Sequence, residues 1–142
     1  MLSQTTEYAL AAAVHLAGKG GCGPVRVDDI AEELGVPRNY LSKILHALAR
    51  VGVLNSTRGP GGGFELAHDP ADITLSDLVH PFEPGLIGSN GDCLLGRERC
   101  RDDDPCAAHA RWKDVRVAIN SFFSDTTLGD LALTKPAKRS VG

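Results

Sequence analysis

The chain has 142 residues, and its 15 lysines and arginines against 18 aspartates and glutamates give a net charge of −3. This length is typical of one domain with a helical extension, and the acidic balance argues against a generally basic nucleic-acid-binding surface. No apolar run reaches the ~18 to 20 residues that span a bilayer, and the first residues lack the basic flank of a secretory signal, which predicts a cytoplasmic protein.

Three helices are predicted in the first third of the chain. The first covers residues 3–16, is rich in alanine and can be capped by Ser3 or Thr5. The second covers residues 27–34 and ends at Gly35. The third opens at Pro37 and closes at Gly52. Its apolar positions recur at helical spacing, and the expected buried stripe is Leu41, Ile44, Leu45, Leu48 and Val51.

The second and third helices are short and separated by a glycine turn, which is typical of a helix-turn-helix. In that motif the second of the two helices enters the major groove of DNA. Residues 36–64 contain basic residues and no acidic residue, so we expect the DNA-facing surface in this stretch. The polar residues near the start of the third helix are Arg38, Asn39, Tyr40, Ser42 and Lys43.

A β-hairpin follows, with strands predicted at residues 53–56 and 64–66 around the sequence TRGPGGG. We interpret it as the wing of a winged helix. Gly59, Gly61 and Gly62 would let the main chain approach a phosphate backbone closely, and Arg58 supplies positive charge. An ordinary flexible hairpin is the alternative.

Two further helices are predicted. A short one covers residues 75–80, with Thr74 as its cap and Pro81 at its end. After a stretch of little periodicity, a long helix runs over residues 105–125, with Asp104 as its cap. We expect its apolar stripe to pair with a second copy of the chain, although packing onto its own domain is the alternative. The stripe consists of Trp112, Val115, Ile119 and Phe122.

Cys93, Cys100, Cys106 and His109 lie within seventeen residues. Thiolates are preferred ligands of iron-sulfur clusters and zinc, and a reducing compartment disfavours structural disulfides. In a helix that starts at residue 105, Cys106 and His109 fall one turn apart. The spacing fits neither the ferredoxin runs nor the cysteine pairs of zinc fingers, which favours an iron-sulfur site over a zinc knuckle. Glu7 is the rival fourth ligand, reaching the loop of a partner subunit, and Cys22 is interpreted as a free thiol.

Several segments together resemble the Rrf2 family of winged-helix regulators: SQTTEYALAA, NYLSKILHALARVGVLNSTRGPGGGFEL, CAAHARWKDV and TLGDLA. The resemblance covers nearly the whole chain. It implies a homodimer that binds palindromic promoter DNA, with a loop-held iron-sulfur cluster that controls operator affinity. On this sequence Tyr40, Ser42 and Lys43 match recognition-helix positions, and Ser56 and Arg58 match wing contacts. The residues that match cluster ligands are Cys93, Cys100 and Cys106.

The resemblance offers two fourth ligands. His109 matches the ligand of members with a 2Fe-2S cluster, whereas Glu7 aligns with a carboxylate that nitric-oxide-responsive members use from the partner chain. Because the CxxHxxW motif is whole, 2Fe-2S is favoured over 4Fe-4S. The first two cysteines lie one residue further apart than in the closest pattern. Lys43 stands where a neutral amide is found in the 2Fe-2S members, so we expect a different operator preference.

The expected fold is mainly α with a small β-hairpin wing, a winged helix-turn-helix followed by a long dimerisation helix. We expect residues 1–80 to bind DNA, 81–104 to form the cluster loop, 105–134 to hold the dimerisation helix and a short last helix, and 135–142 to form a flexible tail. The expected function is a transcription regulator that senses cluster status, redox state or nitric oxide. Alternatives are a metal-free thiol switch, a structural zinc site, and an electron carrier or enzyme, the last disfavoured because no substrate-binding motif is present.

Overall fold

The computed structural model describes residues 2–20, 22–86 and 108–132. It confirms the mainly helical fold with one antiparallel hairpin. The predicted cluster ligands Cys93, Cys100 and Cys106 lie outside the described residues. The elements, in chain order, are α1 (Gln4–Gly18), α2 (Val27–Leu34), α3 (Arg38–Arg50), β1 (Leu54–Thr57), β2 (Gly63–Leu66), a 3-10 turn (Pro70–Asp72), α4 (Leu75–Val79), α5 (His109–Asp125) and α6 (Leu128–Leu131).

The helix α1 is the central element of the fold. Ser3 caps it, because the Ser3 hydroxyl accepts a hydrogen bond from the backbone N–H of Thr6 at 3.2 Å. Alanine has the highest helix propensity, and its small side chain lets other helices approach closely. Three alanines and one leucine on α1 are buried, and α1 contacts α2, α3, α4 and α6. The residues are Ala9, Ala12, Ala13 and Leu16.

The helices α2 and α3 form the predicted helix-turn-helix. Gly35 ends α2 in the left-handed conformation, with φ of 68°, which glycine adopts without steric cost. Four of the five predicted stripe residues of α3 are buried. Val51 is the exception, since α3 ends at Arg50 and the Val51 side chain is 56% exposed. The chain turns there, and Val53 and Leu54 enter the core instead.

The hairpin is attached to the turn that precedes α2. Leu54 lies opposite Leu66 and Ser56 opposite Phe64 in the β1–β2 ladder. Val25 and Phe64 also exchange two backbone hydrogen bonds of 2.8 Å, which no sequence pattern predicted. At Gly63, φ is 146° and a Cβ atom would lie 2.2 Å from the carbonyl oxygen of Val25. Glycine is therefore required where the hairpin meets this turn.

The starts of the short helices α4 and α6 lie next to each other. Each begins with a capping box, formed by Thr74 with Asp77 in α4 and by Thr127 with Asp130 in α6. Thr74 and Thr127 also form an isolated β-bridge. The predicted cap of α4 is confirmed, and the described chain after α5 returns to the domain core through buried Leu128.

In the described part of the chain, the long helix α5 begins at His109. The carbonyl of Ala108 accepts the first helical hydrogen bond, from the backbone N–H of Trp112 at 2.8 Å. The predicted first turn, which begins at Pro105, stays a prediction. Cys106, which we expected on that turn, lies outside the described residues.

The apolar stripe of α5 has two edges with different surroundings. Phe123, which the predicted stripe did not include, is buried, and Ile119 packs against the core. Val115 and Phe122 remain 46% and 56% exposed. One edge of α5 thus packs onto its own domain, while the other is open in the single chain. Among the described helices, none combines the length and the apolar character needed to cross a bilayer.

Candidate nucleic-acid interface

The start of α3 presents the polar residues that the sequence predicted for DNA contact. Arg38, Asn39, Tyr40 and Lys43 are exposed, and Ser42 is half-buried. The residues on the opposite face of α3 are buried and fix its orientation. Pro37, the residue before α3, makes no side-chain capping bond. The first backbone N–H groups of α3 can therefore meet an anion such as a DNA phosphate.

Tyr40 is held against α1 by two contacts. Its hydroxyl is hydrogen-bonded to the hydroxyl of Thr5. Its ring meets the edge of the Tyr8 ring, with 5.6 Å between the centroids and 84° between the planes. The position of Tyr40 on the candidate interface therefore depends on the first two turns of α1, a dependence that the sequence did not predict.

Arg38 is paired with an acidic residue of the neighbouring helix. Its Nε donates a hydrogen bond to Oδ1 of Asp28, in the first turn of α2. Arg26, the residue before α2, brings Nη2 to 3.7 Å from Oδ2 of the same carboxylate. The sequence did not single out Arg26 and Asp28, because the basic stretch that predicted the DNA-facing surface begins at residue 36. The available signal was the position of Arg26 at the start of the first helix of the motif.

The wing is the second part of the candidate interface. Ser56, Arg58, Gly59 and Gly61 are exposed. Gly62 is buried, its N–H donates to the Gly59 carbonyl at 2.9 Å, and a Cβ atom there would lie 2.2 Å from the carbonyl oxygen of Thr57. Gly62 therefore closes the loop of the wing, whereas the role predicted for the exposed glycines stays a prediction.

An edge-to-face ring contact connects the wing to α3. The rings of His46 and Phe64 have centroids 5.1 Å apart and planes at 79°. His46 lies on α3 and Phe64 on β2, and no sequence pattern singled out this pair. The recognition helix and the wing are thus fixed relative to each other by a side-chain contact as well as by the short chain between them.

The amino end of α1 binds the chain that leads toward the cysteines. Oε1 of Glu83 accepts hydrogen bonds from the backbone N–H of Ser3 at 2.7 Å and from Oγ1 of Thr6 at 2.9 Å. These bonds favour the charged form and hold the pKa of Glu83 below its ordinary range, with the Ser3 N–H as the largest cause. Thr6 is fully buried and Glu83 is not, so this contact lies at the edge of the core.

A profile of one family, described as "Iron-dependent Transcriptional regulator", matches residues 2–134 of the chain. The chain belongs to the Rrf2 family. It is 30% identical over 130 residues to the HTH-type transcriptional regulator IscR of Escherichia coli, which covers 92% of this chain and 78% of the relative. The matched relative is named as a regulator, so this Rrf2 protein is a DNA-binding transcription regulator and not an enzyme.

Two solved structures have the same fold as this Rrf2 protein. CymR of B. subtilis, titled as its global cysteine regulator, superposes with a TM-score of 0.78 at 28% identity and covers 94% of this chain and 96% of its own. IscR of T. potens superposes with a TM-score of 0.74 at 29% identity and covers 100% of this chain and 93% of its own. These likenesses agree with the winged helix seen here.

The predicted metal ligands of this Rrf2 chain are only partly described. His109 is the first residue of α5, and Glu7 is exposed on the first turn of α1. Within residues 2–20, 22–86 and 108–132, no three His, Cys, Asp or Glu side chains are grouped so that they could hold a metal. Cys22 is exposed and forms no disulfide in the described part of the chain. The structure therefore neither brings the predicted ligands together nor separates them.

Proposed function

We propose that this Rrf2 protein is a homodimeric regulator whose binding to promoter DNA depends on an iron-sulfur cluster held by Cys93, Cys100 and Cys106. The observation that carries the proposal is the occurrence of three closely spaced cysteines in a chain that matches an iron-dependent family of regulators over residues 2–134. In this organisation residues 1–80 bind DNA, 81–104 form the cluster loop and 105–134 form the dimerisation region, followed by the tail 135–142.

The DNA-binding part of the proposal relies on α3 and the wing. The amino end of α3 enters the major groove, and the wing follows the phosphate backbone. Exposure of these side chains and the contact between His46 and Phe64 support this arrangement. The proposed contact residues are Arg38, Asn39, Tyr40, Ser42, Lys43, Ser56, Arg58, Gly59 and Gly61, while Gly62 supports the loop.

The donor set fits an iron-sulfur cluster by its chemistry. Three thiolates with one imidazole or carboxylate are soft and borderline ligands suited to iron. When bound, such a cluster supplies a redox-active centre that oxidants and nitric oxide can attack. For the fourth position we favour His109, and with it 2Fe-2S over 4Fe-4S, because the CxxHxxW motif is whole. Glu7 is the other candidate, contributed by the partner subunit.

A metal-free thiol switch is the second candidate function. The likeness to CymR supports it, since one matching structure, from Staphylococcus aureus, is titled as an oxidized form of CymR. In this version the same cysteines form reversible disulfides and no iron is held. The two candidates predict different metal contents for the purified protein.

Anaerobic purification separates the two candidates. We expect iron and sulfide in the wild type, together with absorption and paramagnetic resonance spectra of a cluster. Cys100→Ala should lose both and bind operator DNA with altered affinity, while Cys22→Ala, the matched cysteine control, should behave as the wild type. An iron-free wild type whose operator affinity responds to disulfide formation would instead establish the thiol switch.

The fourth ligand is tested by a second pair of variants. His109→Ala should change the paramagnetic resonance spectrum and lower the cluster content if His109 is the ligand, and Glu7→Ala should then leave both unchanged. The reverse result would assign the position to Glu7. Mixing Glu7→Ala subunits with Cys100→Ala subunits then reports whether the carboxylate comes from the partner.

The wing assignment is tested by salt dependence. Arg58→Ala should weaken operator binding and lower the slope of log affinity against log salt by about one, as expected for one lost phosphate contact. Arg111→Ala, which removes an exposed arginine from α5, serves as the charge-matched control and should leave the slope unchanged. Equal affinity of Arg58→Ala and the wild type would reject the wing assignment.

A further inference from the structure

Asp28 and Arg38 form an ion pair that connects α2 to the first residue of the recognition helix. Nε of Arg38 donates to Oδ1 of Asp28, and Nη2 of Arg26 lies 3.7 Å from Oδ2. Both side chains of the pair are at least half exposed, at 58% for Arg38 and 50% for Asp28. The pair therefore lies at the surface that the helix-turn-helix presents, where a ligand can reach it.

Stability accounts for a carboxylate in the first turn of α2, where Asp28 and Asp29 both interact favourably with the helix dipole, but it does not account for the contact between Asp28 and Arg38. Exposed ion pairs contribute little to the free energy of folding. A negative charge on a surface that meets DNA phosphates lowers affinity for every duplex, whatever its sequence. Asp28 would compensate for this loss of affinity if its carboxylate improved the discrimination between different DNA sequences.

The geometry of the contact shows what that gain can be. The guanidinium of arginine is a rigid planar fork with five N–H donors. An arginine bound through Nε has its plane and direction restrained, and it still presents its two Nη groups at the outer end. Two parallel N–H donors match O6 and N7 of guanine in the major groove, which is the commonest specific contact between an arginine and a base.

We propose that Asp28 positions Arg38 to bind a single guanine in each half-site of the operator. Asp28 itself touches no base and acts through Arg38, so it is a positioning residue. Arg26 shares the carboxylate and neutralises part of its charge toward the DNA. The inference rests on the proposed function, which places the amino end of α3 in the major groove and two copies of the chain on two half-sites.

The test compares two variants that remove the same charge. Wild-type protein first selects its preferred duplex from a random-sequence library, and affinities are then measured for all single base-pair changes of that duplex. Asp28→Asn is compared with Asp29→Asn, since Asp29 is an exposed neighbour in the same first turn of α2. We expect Asp28→Asn to lose discrimination at one G·C pair per half-site, on the order of tenfold. Asp29→Asn should keep it.

Arg38→Lys provides a second readout. Lysine keeps the positive charge but not the fork, so discrimination should fall at the same G·C pair while the salt dependence of binding is retained. A uniform change of affinity at every base pair in Asp28→Asn, in either direction, would overturn the inference. Failure of the wild type to select any duplex would instead contradict the proposed function and is seen before any variant is measured.

Discussion

Glu83 accepts a hydrogen bond from the backbone N–H of Ser3, with 2.7 Å between the nitrogen and Oε1. The two residues are 80 positions apart in the sequence, and the bond joins the first turn of α1 to the chain just before the segment with the cysteines. The same turn of α1 holds Tyr40 of the recognition helix through Thr5. If Glu83 or Tyr40 is displaced, the start of α1 must therefore adjust.

Replacing Glu83 with glutamine should destabilise the protein. Glutamine keeps an acceptor oxygen but loses the charge that strengthens the bonds from Ser3 and Thr6. Because the bonds to Ser3 and Thr6 are partly exposed to solvent, we expect a loss of at most about 1 kcal/mol in the free energy of unfolding, measured by urea denaturation. Glu32→Gln, at an exposed position of α2, is the control and should change it little. Equal unfolding midpoints for the two variants would contradict this role of Glu83.

The same carboxylate should contribute to the pH dependence of stability. Its pKa in the folded protein is lowered from the ordinary value of 4.5, chiefly by the Ser3 N–H, so the unfolded chain binds this proton more tightly. The stabilisation is therefore complete above the ordinary value and is lost as the pH falls through the folded one. The difference in unfolding free energy between wild type and Glu83→Gln should shrink as the pH falls from neutral to below 4.5. A constant difference over that range would argue against a lowered pKa.

The bond between Tyr40 and Thr5 is expected to couple the two residues energetically. We expect Tyr40→Phe and Thr5→Val to destabilise the protein less together than the sum of the single variants, with a coupling energy of about 1 kcal/mol. A double-mutant cycle in urea measures it. The control cycle combines Tyr40→Phe with Ser56→Ala on the exposed wing and should be additive. A coupling near zero would mean that the Tyr40 hydroxyl is free for DNA.

Gly62→Ala should distort the wing. The added Cβ would lie 2.2 Å from the Thr57 carbonyl oxygen and 2.8 Å from that of Gly59, so the loop must shift. We expect a loss of roughly 1–3 kcal/mol in unfolding free energy, as for other overpacked positions, together with weaker operator binding. Gly61→Asn is the control for stability, because its position is open and asparagine tolerates the positive φ of 76°. If Gly62→Ala were as stable as the wild type, the loop of the wing would have rearranged at little cost in free energy.

Two valines on opposite sides of α5 can test whether its exposed edge forms the dimer contact. Val115 lies on the stripe with Phe122, whereas Val117 is two residues away, on the other side of the helix, and the two are 46% and 57% exposed. Val115→Lys should shift the protein toward monomer, and Val117→Lys should not. Sedimentation equilibrium over a range of protein concentrations measures the effect. Unchanged mass in both variants would speak against α5 as the dimer contact.

Local patterns in the sequence predicted most of the elements correctly. The helical spacing of Ile30 and Leu34, the left-handed Gly35 and the cap at Thr74 each depend on residues within one or two turns. Errors occurred where an element ends or meets another. Val51 continues the apolar stripe of α3 in the sequence, but the helix ends one residue before it. Phe123 is buried because of the way α5 packs against the neighbouring helices.

The candidate interface divides in the same way. Arg38, Lys43 and Arg58 could be singled out because charge and glycine content are visible along the chain. The contacts between elements could not be predicted. Asp28 of α2 pairs with Arg38 of α3, and the ring of Phe64 on β2 contacts the ring of His46 on α3. Such contacts depend on how the elements pack, and no short-range pattern encodes them.

By itself, the sequence determined the helix-turn-helix, the glycine-rich hairpin and the resemblance to a family of regulators, because period, caps and turn residues act over a few positions. Only the tertiary structure decided that Gly63 must lack a side chain against Val25 and that Glu83 binds the start of α1. It also decided which edge of α5 the domain covers. Those outcomes require groups far apart in the chain to be brought within bonding distance, which the packing of the whole core determines.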